Sequence, residues 1–426
     1  MKTSRAGAVL AAILGVLVTL ALWLAVTAPL AMGLLHPSPV DAPEQRVAAP
    51  VPSPHPGRRT AAVLLSQAGT EVTDFLAPYA ILAASGACDV YAVAPGLDPA
   101  PVNGGLGILP QLTLAAFDAA HPEGADVVVI PNVLDPDNPL LLDWVRRQSK
   151  AGALVASICE GARLLAASGL IEGREATTHF AAIGDLRGRY PGVRWRDDRR
   201  YVGDDSFVMS AGVTAAIDAS LHVVARLAGA DVAQRTAATL GLPVTSDVGA
   251  APPELSAADL AIGLVNGALV WPKRRVFVRL EDGVDEIELA AALDAYPRTF
   301  AAASASTSPE RRLVRSRHGL VLVPAQPERA RGPADIVVTP ARGADAEPAF
   351  DRVLRSIALQ FGGRAAALVA DQLQYPAAGL GLEETPTALA GSLARLTLLV
   401  GSGAGLGLAV RAGLARRRRR STHPPA

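Results

Sequence analysis

The stretch between residues 60 and 158 alternates short apolar runs with longer segments of helical periodicity, such as TDFLAPYAILAAS at 73–85. Strands that are apolar throughout and alternate with helices predict a parallel sheet covered on both faces. We therefore expect an α/β fold with a doubly wound, flavodoxin-like parallel sheet, whose ligands bind beyond the carboxyl ends of the strands. The apolar runs of strand length are TAAVLLSQ (60–67), CDVYAVAP (88–95), ADVVVIP (125–131) and ALVASI (153–158).

The N-terminal segment carries an uncharged apolar run over residues 6–35, which follows Lys2 and Arg5. The hydrocarbon core of a bilayer needs about 20 such residues, whereas the core of a signal peptide uses about 7 to 15. We therefore predict an uncleaved transmembrane anchor at 6–35, and a cleaved signal peptide is the alternative.

A second apolar segment lies near the other end of the chain, over residues 388–414. Its uncharged centre is flanked by Arg395 and Arg411, whose long side chains can reach the membrane interfaces. We predict a second transmembrane helix here, and an amphipathic or buried helix is the alternative. The segment also carries small-residue faces, which favour close packing of two membrane helices, at Gly401, Gly403, Gly405 and Gly407.

Positive charge flanks the outer ends of both predicted spans. Lys2 and Arg5 precede the first span, and the tail 415–426 carries five consecutive arginines, Arg416 to Arg420. By the positive-inside rule, both termini are expected in the cytoplasm and the main domains outside it. The predicted location is the cell membrane, where the two terminal helices contact lipid.

The overall charge of the chain is balanced. Lys and Arg number 40 and Asp and Glu number 40, so no global field attracts a nucleic acid. We expect no nucleic-acid partner.

Between the two spans, composition divides the chain into four regions. A Pro-rich segment without apolar periodicity precedes the first α/β region and is predicted to be a stiff, extended tether. The regions are the linker 36–58, a domain with the candidate chemistry at 59–245, a connector at 246–272 and a second, shorter domain at 273–380.

The second domain aligns with the first as an internal repeat. An ungapped offset of 214 sets Gly69 against Gly283 and Gly105 against Gly319, and the helical segment 221–243 parallels 354–376. We interpret the second domain as a degenerate copy of the same fold that lacks the segment around Cys159. Two unrelated doubly wound domains are the alternative.

Cys159 follows the strand ALVASI and precedes a helical segment, with small residues around it. This pattern predicts a nucleophile elbow, in which the sulfur projects from the carboxyl edge of the sheet. The adjoining helix N-terminus would favour a thiolate able to attack an electrophilic carbon. The alternative is a small buried hydrophobic side chain.

His179 and Asp74 are the candidate companions of the cysteine. His179 follows two threonines in ATTHFAA, and an imidazole can accept a thiol proton at neutral pH. Asp74 begins the first helix, close to the carboxyl end of the first strand. A structural histidine and a helix-start carboxylate are the respective alternatives.

Three motifs together resemble the ThiJ/PfpI family of the class I glutamine amidotransferase-like superfamily, in particular the branch with isonitrile hydratase and the sensor domains of AraC-type regulators. They are AGTEVTDFLAPYAIL, SICEGARLLAASGLIEGREATTHF and VMSAGVTAAIDASLHVVARLAG. The resemblance covers roughly residues 58–243. It implies that Cys159 is the nucleophile, that His179 is a base or orienting group and that Asp74 is the acid/base carboxylate.

The resemblance further implies a small-molecule substrate, water as co-substrate, and neither an organic cofactor nor a metal. Family members commonly form dimers, so a homodimer or an intrachain pseudo-dimer of the two repeats is expected. Asn132 and Val133 replace the Gly-Gly pair of many members, which places oxyanion stabilisation in doubt. The carboxylate of Glu160, next to the cysteine, would raise the pKa of the thiol. Substrate contacts are expected from Asn132, Val133, Glu160, Gly161, Ala211 and Gly212.

Two functions fit these features. The first is a membrane-anchored, cysteine-dependent hydrolase, hydratase or lyase for a small electrophile. The second is a non-catalytic module that senses a ligand or an oxidant through the same cysteine.

Overall fold

The computed structural model describes residues 5–43, 47–242, 255–330, 332, 335–343, 347–382 and 390–421. We call residues 59–242 the first half and residues 255–382 the second half. Up to residue 242 the elements are α1 (Arg5–Gly33), β1 (Arg59–Leu64), α2 (Val72–Ala84), β2 (Cys88–Ala94), β3 (Ala100–Val102), β4 (Leu106–Leu109), β5 (Leu112–Thr113), α3 (Leu114–Ala120), β6 (Val127–Ile130), α4 (Pro139–Lys150), β7 (Leu154–Ile158), α5 (Ala162–Ala167), β8 (Glu175–Ala176), α6 (Phe180–Arg189), β9 (Arg194–Trp195), β10 (Tyr201–Gly203), β11 (Phe207–Ser210), α7 (Ala215–Ala228) and α8 (Ala230–Thr239). From residue 255 they are α9 (Ala257–Leu269), β12 (Arg274–Arg279), α10 (Glu286–Ala295), β13 (Ala302–Ser308), β14 (Val314–Arg315), β15 (Val321–Val323), β16 (Gln326–Pro327), β17 (Ile336–Val338), α11 (Ala349–Phe361), α12 (Gly363–Leu373) and α13 (Ala390–Ser421).

The first half is built on a seven-stranded sheet in the order β10-β11-β7-β6-β1-β2-β5. All neighbouring strands in it run parallel except β10, which is antiparallel to β11. Successive residues of β1 enter different cores, because side chains alternate across a strand. Ala61 and Val63 pack on the face of α2 and α7, whereas Ala62 and Leu64 pack on the face of α4 and α5. The prediction of a doubly wound parallel sheet is confirmed.

The second half contains a smaller parallel sheet in the order β16-β13-β12-β17. It also contains a pair of helices, α11 and α12, that resembles the pair α7 and α8 in its bend. Gly229 joins α7 to α8 at φ 95° and ψ 157°, and Gly362 joins α11 to α12 at φ 93° and ψ 155°. This backbone conformation strongly favours glycine, so both pairs turn in the same way.

A separate four-stranded sheet, β14-β15-β4-β3, joins the two halves. Strands β4 and β15 come from different halves and pair antiparallel. At the offset of 214, Ile108 corresponds to Leu322, and these two residues lie opposite each other. The two flanking pairs are Gly107 with Val323 and Leu109 with Val321. The offset of 214 converts one of these pairs into the other, because Gly107 is set against Val321 and Leu109 against Val323.

Two helices, over Arg5–Gly33 and Ala394–Leu414, are long and apolar enough to cross a membrane. They pack against each other through glycine. A Cβ atom at Gly407 would lie 1.8 Å from the carbonyl oxygen of Ala11, and one at Gly403 would lie 2.7 Å from Cα of Val16. Gly401 and Gly405 have no such neighbour, so only two of the four predicted glycines lie in this contact.

The described parts of the predicted linker and connector contact the rest of the molecule. Part of the linker packs on the first half, since Ala49 is buried in a small cluster with Leu109. The connector 246–272 includes helix α9, which contacts α1. Trp23 Nε1 of α1 donates a hydrogen bond to the carbonyl of Ala268 at 2.6 Å.

Candidate active site

Cys159 lies at a sharp turn between β7 and α5, as the elbow pattern predicts. Its φ is 54°, a left-handed conformation that non-glycine residues rarely adopt. The turn also needs Gly161, because a Cβ atom there would lie 2.2 Å from the carbonyl oxygen of Ile130 and 2.8 Å from that of Pro131. The strain and the close approach to β6 together fix the position of the sulfur.

Two neighbouring motifs hold the backbone of the elbow. Thr178 Oγ1 donates a hydrogen bond to the carbonyl of Cys159 at 2.9 Å. The N–H of Cys159 donates to Ser210 Oγ at 3.4 Å. Both side chains are buried, so the segment before His179 and the end of β11 position the nucleophile candidate.

His179 is buried and both of its ring nitrogens are engaged. It caps α6, where Nδ1 accepts from the N–H of Ala181 at 3.4 Å, and Nε2 donates to the carbonyl of Gln372 in the second half at 3.1 Å. Burial, together with the Arg298 charge, lowers its pKa to about 4. The imidazole is therefore neutral, and this geometry favours the orienting role over the base role.

Asp74 and Glu71 form a buried pair of carboxyl groups at the start of α2. Glu71 Oε2 accepts from the N–H of Asp74 at 2.6 Å, and Asp74 Oδ2 accepts from the N–H of Asn132 at 3.2 Å. Burial raises the pKa of Asp74 to about 7 and raises the pKa of Glu71 well above its ordinary value. Glu71 therefore holds a proton more tightly than an ordinary glutamate, while Asp74 is poised to gain or lose a proton near neutral pH.

The second half contributes a cation, Arg298, to the same place. The buried guanidinium is bidentate to Asp294, at 2.9 and 3.0 Å, and lies 3.6 Å from Glu71 Oε1. Burial acts to lower its pKa, but Asp294 and Glu71 hold the pKa above its ordinary value, so the group stays charged. Sequence reasoning missed Arg298, since no motif marks it and only the packing of the halves brings it to the site.

The thiol of Cys159 is protonated in this environment. Burial raises its pKa well above the ordinary value, and the charges of Asp74, Glu160 and Glu71 raise it further, while Arg298 acts in the opposite direction. The expectation that the helix N-terminus would favour a thiolate is wrong, because desolvation outweighs it and α5 has only six residues. The charge of Glu160 acts on the pKa of the thiol in the predicted direction.

Cys159 opens into a cavity of about 710 Å³ between the halves. Of the predicted site residues, Asn132, Val133, Glu160 and His179 also line it. The N–H of Asn132 is already donated to Asp74, so it is not free to bind an oxyanion. Residues of the lining that sequence reasoning missed include Glu71, Arg298, Phe300 and Gln372.

The other predicted site residues lie behind the cavity wall. Asp74 and Gly161 support the carboxyl pair and the elbow, as described above. Ala211 is buried, and a Cβ atom at Gly212 would meet the Gln374 side chain of the second half at 1.8 Å. Neither Ala211 nor Gly212 lines the cavity, so a contact of these two residues with substrate stays a prediction. Among the described residues, no group of three or more His, Cys, Asp or Glu side chains is arranged to hold a metal ion.

Comparison with known proteins places the match in the first half. The model of the DJ-1/PfpI family matches residues 59–226. Isonitrile hydratase of Pseudomonas putida is 32% identical over 166 residues, which cover 38% of this chain and 69% of that protein. The HTH-type transcriptional regulator CdhR of Pseudomonas aeruginosa is 34% identical over 95 residues, or 22% of this chain and 28% of the regulator. The crystal structure of Drosophila melanogaster DJ-1beta is 26% identical, covers 44% of this chain and 100% of its own, and aligns with a TM-score of 0.40.

Proposed function

Since the chain belongs to the DJ-1/PfpI (ThiJ) family, we propose that its first half is a cysteine-dependent hydrolase, hydratase or lyase for a small electrophilic substrate. The observation that carries the proposal is the position of Cys159. It sits on a strained elbow and faces a cavity that also holds Glu71 and Arg298. Strained residues held by their surroundings are characteristic of active sites.

The proposed chemistry begins from the neutral thiol. The sulfur of Cys159 forms a bond to the electrophilic carbon, and its proton passes to the carboxyl pair of Asp74 and Glu71. Glu71, which lines the cavity, then delivers a proton from this pair to the substrate atom that gains the electron pair. Water then adds to the same carbon, and the sulfur leaves and recovers a proton. The net reaction is the addition of water, which for an isonitrile gives a formamide. His179 orients the elbow segment, and Arg298 offsets the negative charge that develops.

The test is turnover of cyclohexyl isonitrile by the full chain in lipid nanodiscs, measured as formamide by mass spectrometry. Cys159→Ser is expected to reduce the rate by a factor of about 10³ or more, because it removes the nucleophile. Cys88→Ser is the matched control, since Cys88 is also a buried free cysteine but begins β2, away from the elbow. Equal rates for the two variants would refute the proposal.

A sensing module is the second candidate function. It is favoured by the raised thiol pKa and by the similarity to a transcriptional regulator. In that case isonitriles, methylglyoxal adducts and amides are not turned over by the wild type. Cys159→Ser then changes ligand binding or thiol oxidation alone.

We propose that α1 and α13 anchor the chain in the cell membrane, with both termini cytoplasmic and the two halves outside. Their antiparallel packing supports this arrangement, because it brings the N-terminal end of α1 and the C-terminal end of α13 to the same side. In whole cells, a membrane-impermeant maleimide is expected to label Ser53→Cys but not Thr3→Cys. The reverse pattern would overturn the orientation.

We propose that the second half is a degenerate copy of the first and acts as its built-in partner. The strand pairing of β4 with β15 supports this. Two further contacts between the halves also support it, because the offset of 214 converts each of them into the other. Tyr79 donates to the carbonyl of His318 at 3.4 Å, and a Cβ atom at Gly104 would meet Leu293 at 2.5 Å. The expected active unit is one chain, so light scattering of the active protein should give one chain per particle, whereas a homodimer would give two.

A further inference from the structure

The cavity at Cys159 extends far beyond the reacting groups. Its volume of about 710 Å³ lies within the range of about 300–1,000 Å³ of cavities that hold drug-sized ligands. A substrate of only a few atoms would fill a small part of it. The remaining space therefore has a use that the proposed reaction on a small electrophile does not explain.

The two ends of this cavity differ in chemistry. Cys159, His179, Glu71 and Arg298 lie together at one end. At the other end, α1 and α9 contribute the buried polar residues Thr27 and Asp259 and a larger number of apolar side chains, which include Leu24, Ala28, Ala31, Met32, Leu260 and Leu264. A ligand that fits both ends has a polar head and an apolar chain.

One of the two helices at the apolar end, α1, is long and apolar enough to cross a membrane. α9 packs on α1 where Ala31 approaches Gly267, and the Trp23 hydrogen bond to Ala268 fixes this contact. On α9, Leu260 and Leu264 are one helical turn apart and remain 61% and 58% exposed. Exposed leucines beside a membrane helix favour entry of the ligand from the bilayer.

The charges at the polar end favour an uncharged head. Arg298 is balanced by Asp294, and Glu160 is balanced by Arg163 at 2.7 Å. The thiol and the imidazole are neutral, so among the described residues at this end no cation is left without a carboxylate partner to bind an anionic head.

We propose that the site takes a single-chain amphiphile from the membrane, with an uncharged electrophilic head at Cys159 and an alkyl chain along α1 and α9. This proposal names the substrate class of the proposed function. It rests on that function for the chemistry at the head.

The experiment measures the rates at which N-methylmaleimide and N-decylmaleimide modify Cys159 in the full chain in lipid nanodiscs, by peptide mass spectrometry. Leu264→Asn is expected to lower the decyl-to-methyl rate ratio about tenfold, because it makes the wall of the chain-binding end polar. Leu359→Asn is the matched control: Leu359 is 81% exposed in α11, does not line the cavity, and should leave the ratio unchanged. Partition of the probes into the lipid is common to all variants and cancels in this comparison. Equal ratios in the two variants would overturn the proposal.

A second measurement covers the case in which the buried thiol reacts with neither maleimide. A decyl amide with a diazirine at the end of its chain is expected to cross-link α9 near Leu264, and Leu264→Asn should reduce this cross-link about tenfold while Leu359→Asn does not. Cross-linking that is absent from α9 contradicts the proposal.

These outcomes are separable from those of the proposed reaction. A dependence on chain length without turnover of any isonitrile would leave the ligand class intact and refute the catalysis. If Leu264→Asn leaves the turnover of both short and long isonitriles unchanged, the catalysis is supported and the ligand class is refuted.

Discussion

The two halves share a sheet type and a helix-pair geometry, but they divide the charged groups of the site between them. The first half has the cysteine elbow and Asp74, whereas the second half has Glu288, which lies 214 residues after Asp74 and pairs with Arg352. Conversely, the residue 214 positions before Arg298 is Ala84. A site with one nucleophile therefore depends on a charge that the other half supplies, and each half alone is incomplete.

The strongest test of this division is Arg298→Met. It leaves Asp294 buried without its cation, so the free energy of unfolding should fall by about 3–5 kcal/mol, as measured by urea denaturation in detergent. Arg312→Met is the control, because the Arg312–Asp282 pair is more than half exposed on both sides and should contribute less than about 1 kcal/mol. Similar losses in the two variants would mean that the halves do not depend on each other for this charge.

The elbow of the first half gives the next largest effect. Gly161→Ala places a methyl group against the carbonyl oxygens at the end of β6 and should destabilise the chain by about 2–3 kcal/mol. Gly184→Ala, in α6, meets no atom within 4 Å and should stabilise by up to about 1 kcal/mol, since alanine is the better helix former. Thermal unfolding of both variants measures the difference, and a neutral Gly161→Ala would show that the elbow can open.

Asp74 gives a smaller effect that depends on pH. Its pKa is raised in the folded state, so the folded chain binds the proton more tightly and loses stability as pH rises from about 4 to about 7. Asp74→Asn removes this loss and should gain about 2 kcal/mol relative to wild type between pH 5 and pH 7. Urea titrations at several pH values measure this gain, and a constant difference would argue against a proton on Asp74.

His179 should show the opposite dependence. Its pKa is lowered to about 4, so the unfolded chain binds the proton more tightly and the folded state loses stability as pH falls below about 6.5. His179→Asn keeps a capping side chain and should gain about 1.5 kcal/mol relative to wild type between pH 6.5 and pH 5. The same titrations test it, and an unchanged pH dependence would show that the ring is not neutral and buried.

The sequence identified the parallel sheet and the elbow because both are local patterns. Apolar strands alternate with helices, and a cysteine follows β7 with Gly161 where no side chain fits. Arg298 and the partner of His179 were not predictable in this way, because both contacts cross between halves and depend on how α10 and α12 pack. The apolar end of the cavity was hidden for the same reason, since α9 lies in the segment interpreted as a connector.

The pairing of Ile108 with Leu322 occurs within a single polypeptide, which gives the molecule a freedom that an assembly of identical subunits lacks. In an assembly of two identical subunits, an arginine that replaced Ala84 would be present in both subunits and therefore in both active sites. In this chain the two halves have separate sequences, so a substitution in one half leaves the other half unchanged. Each molecule thus displays a single elbow thiol, and evolution can reshape the supporting neighbour without altering the reactive one.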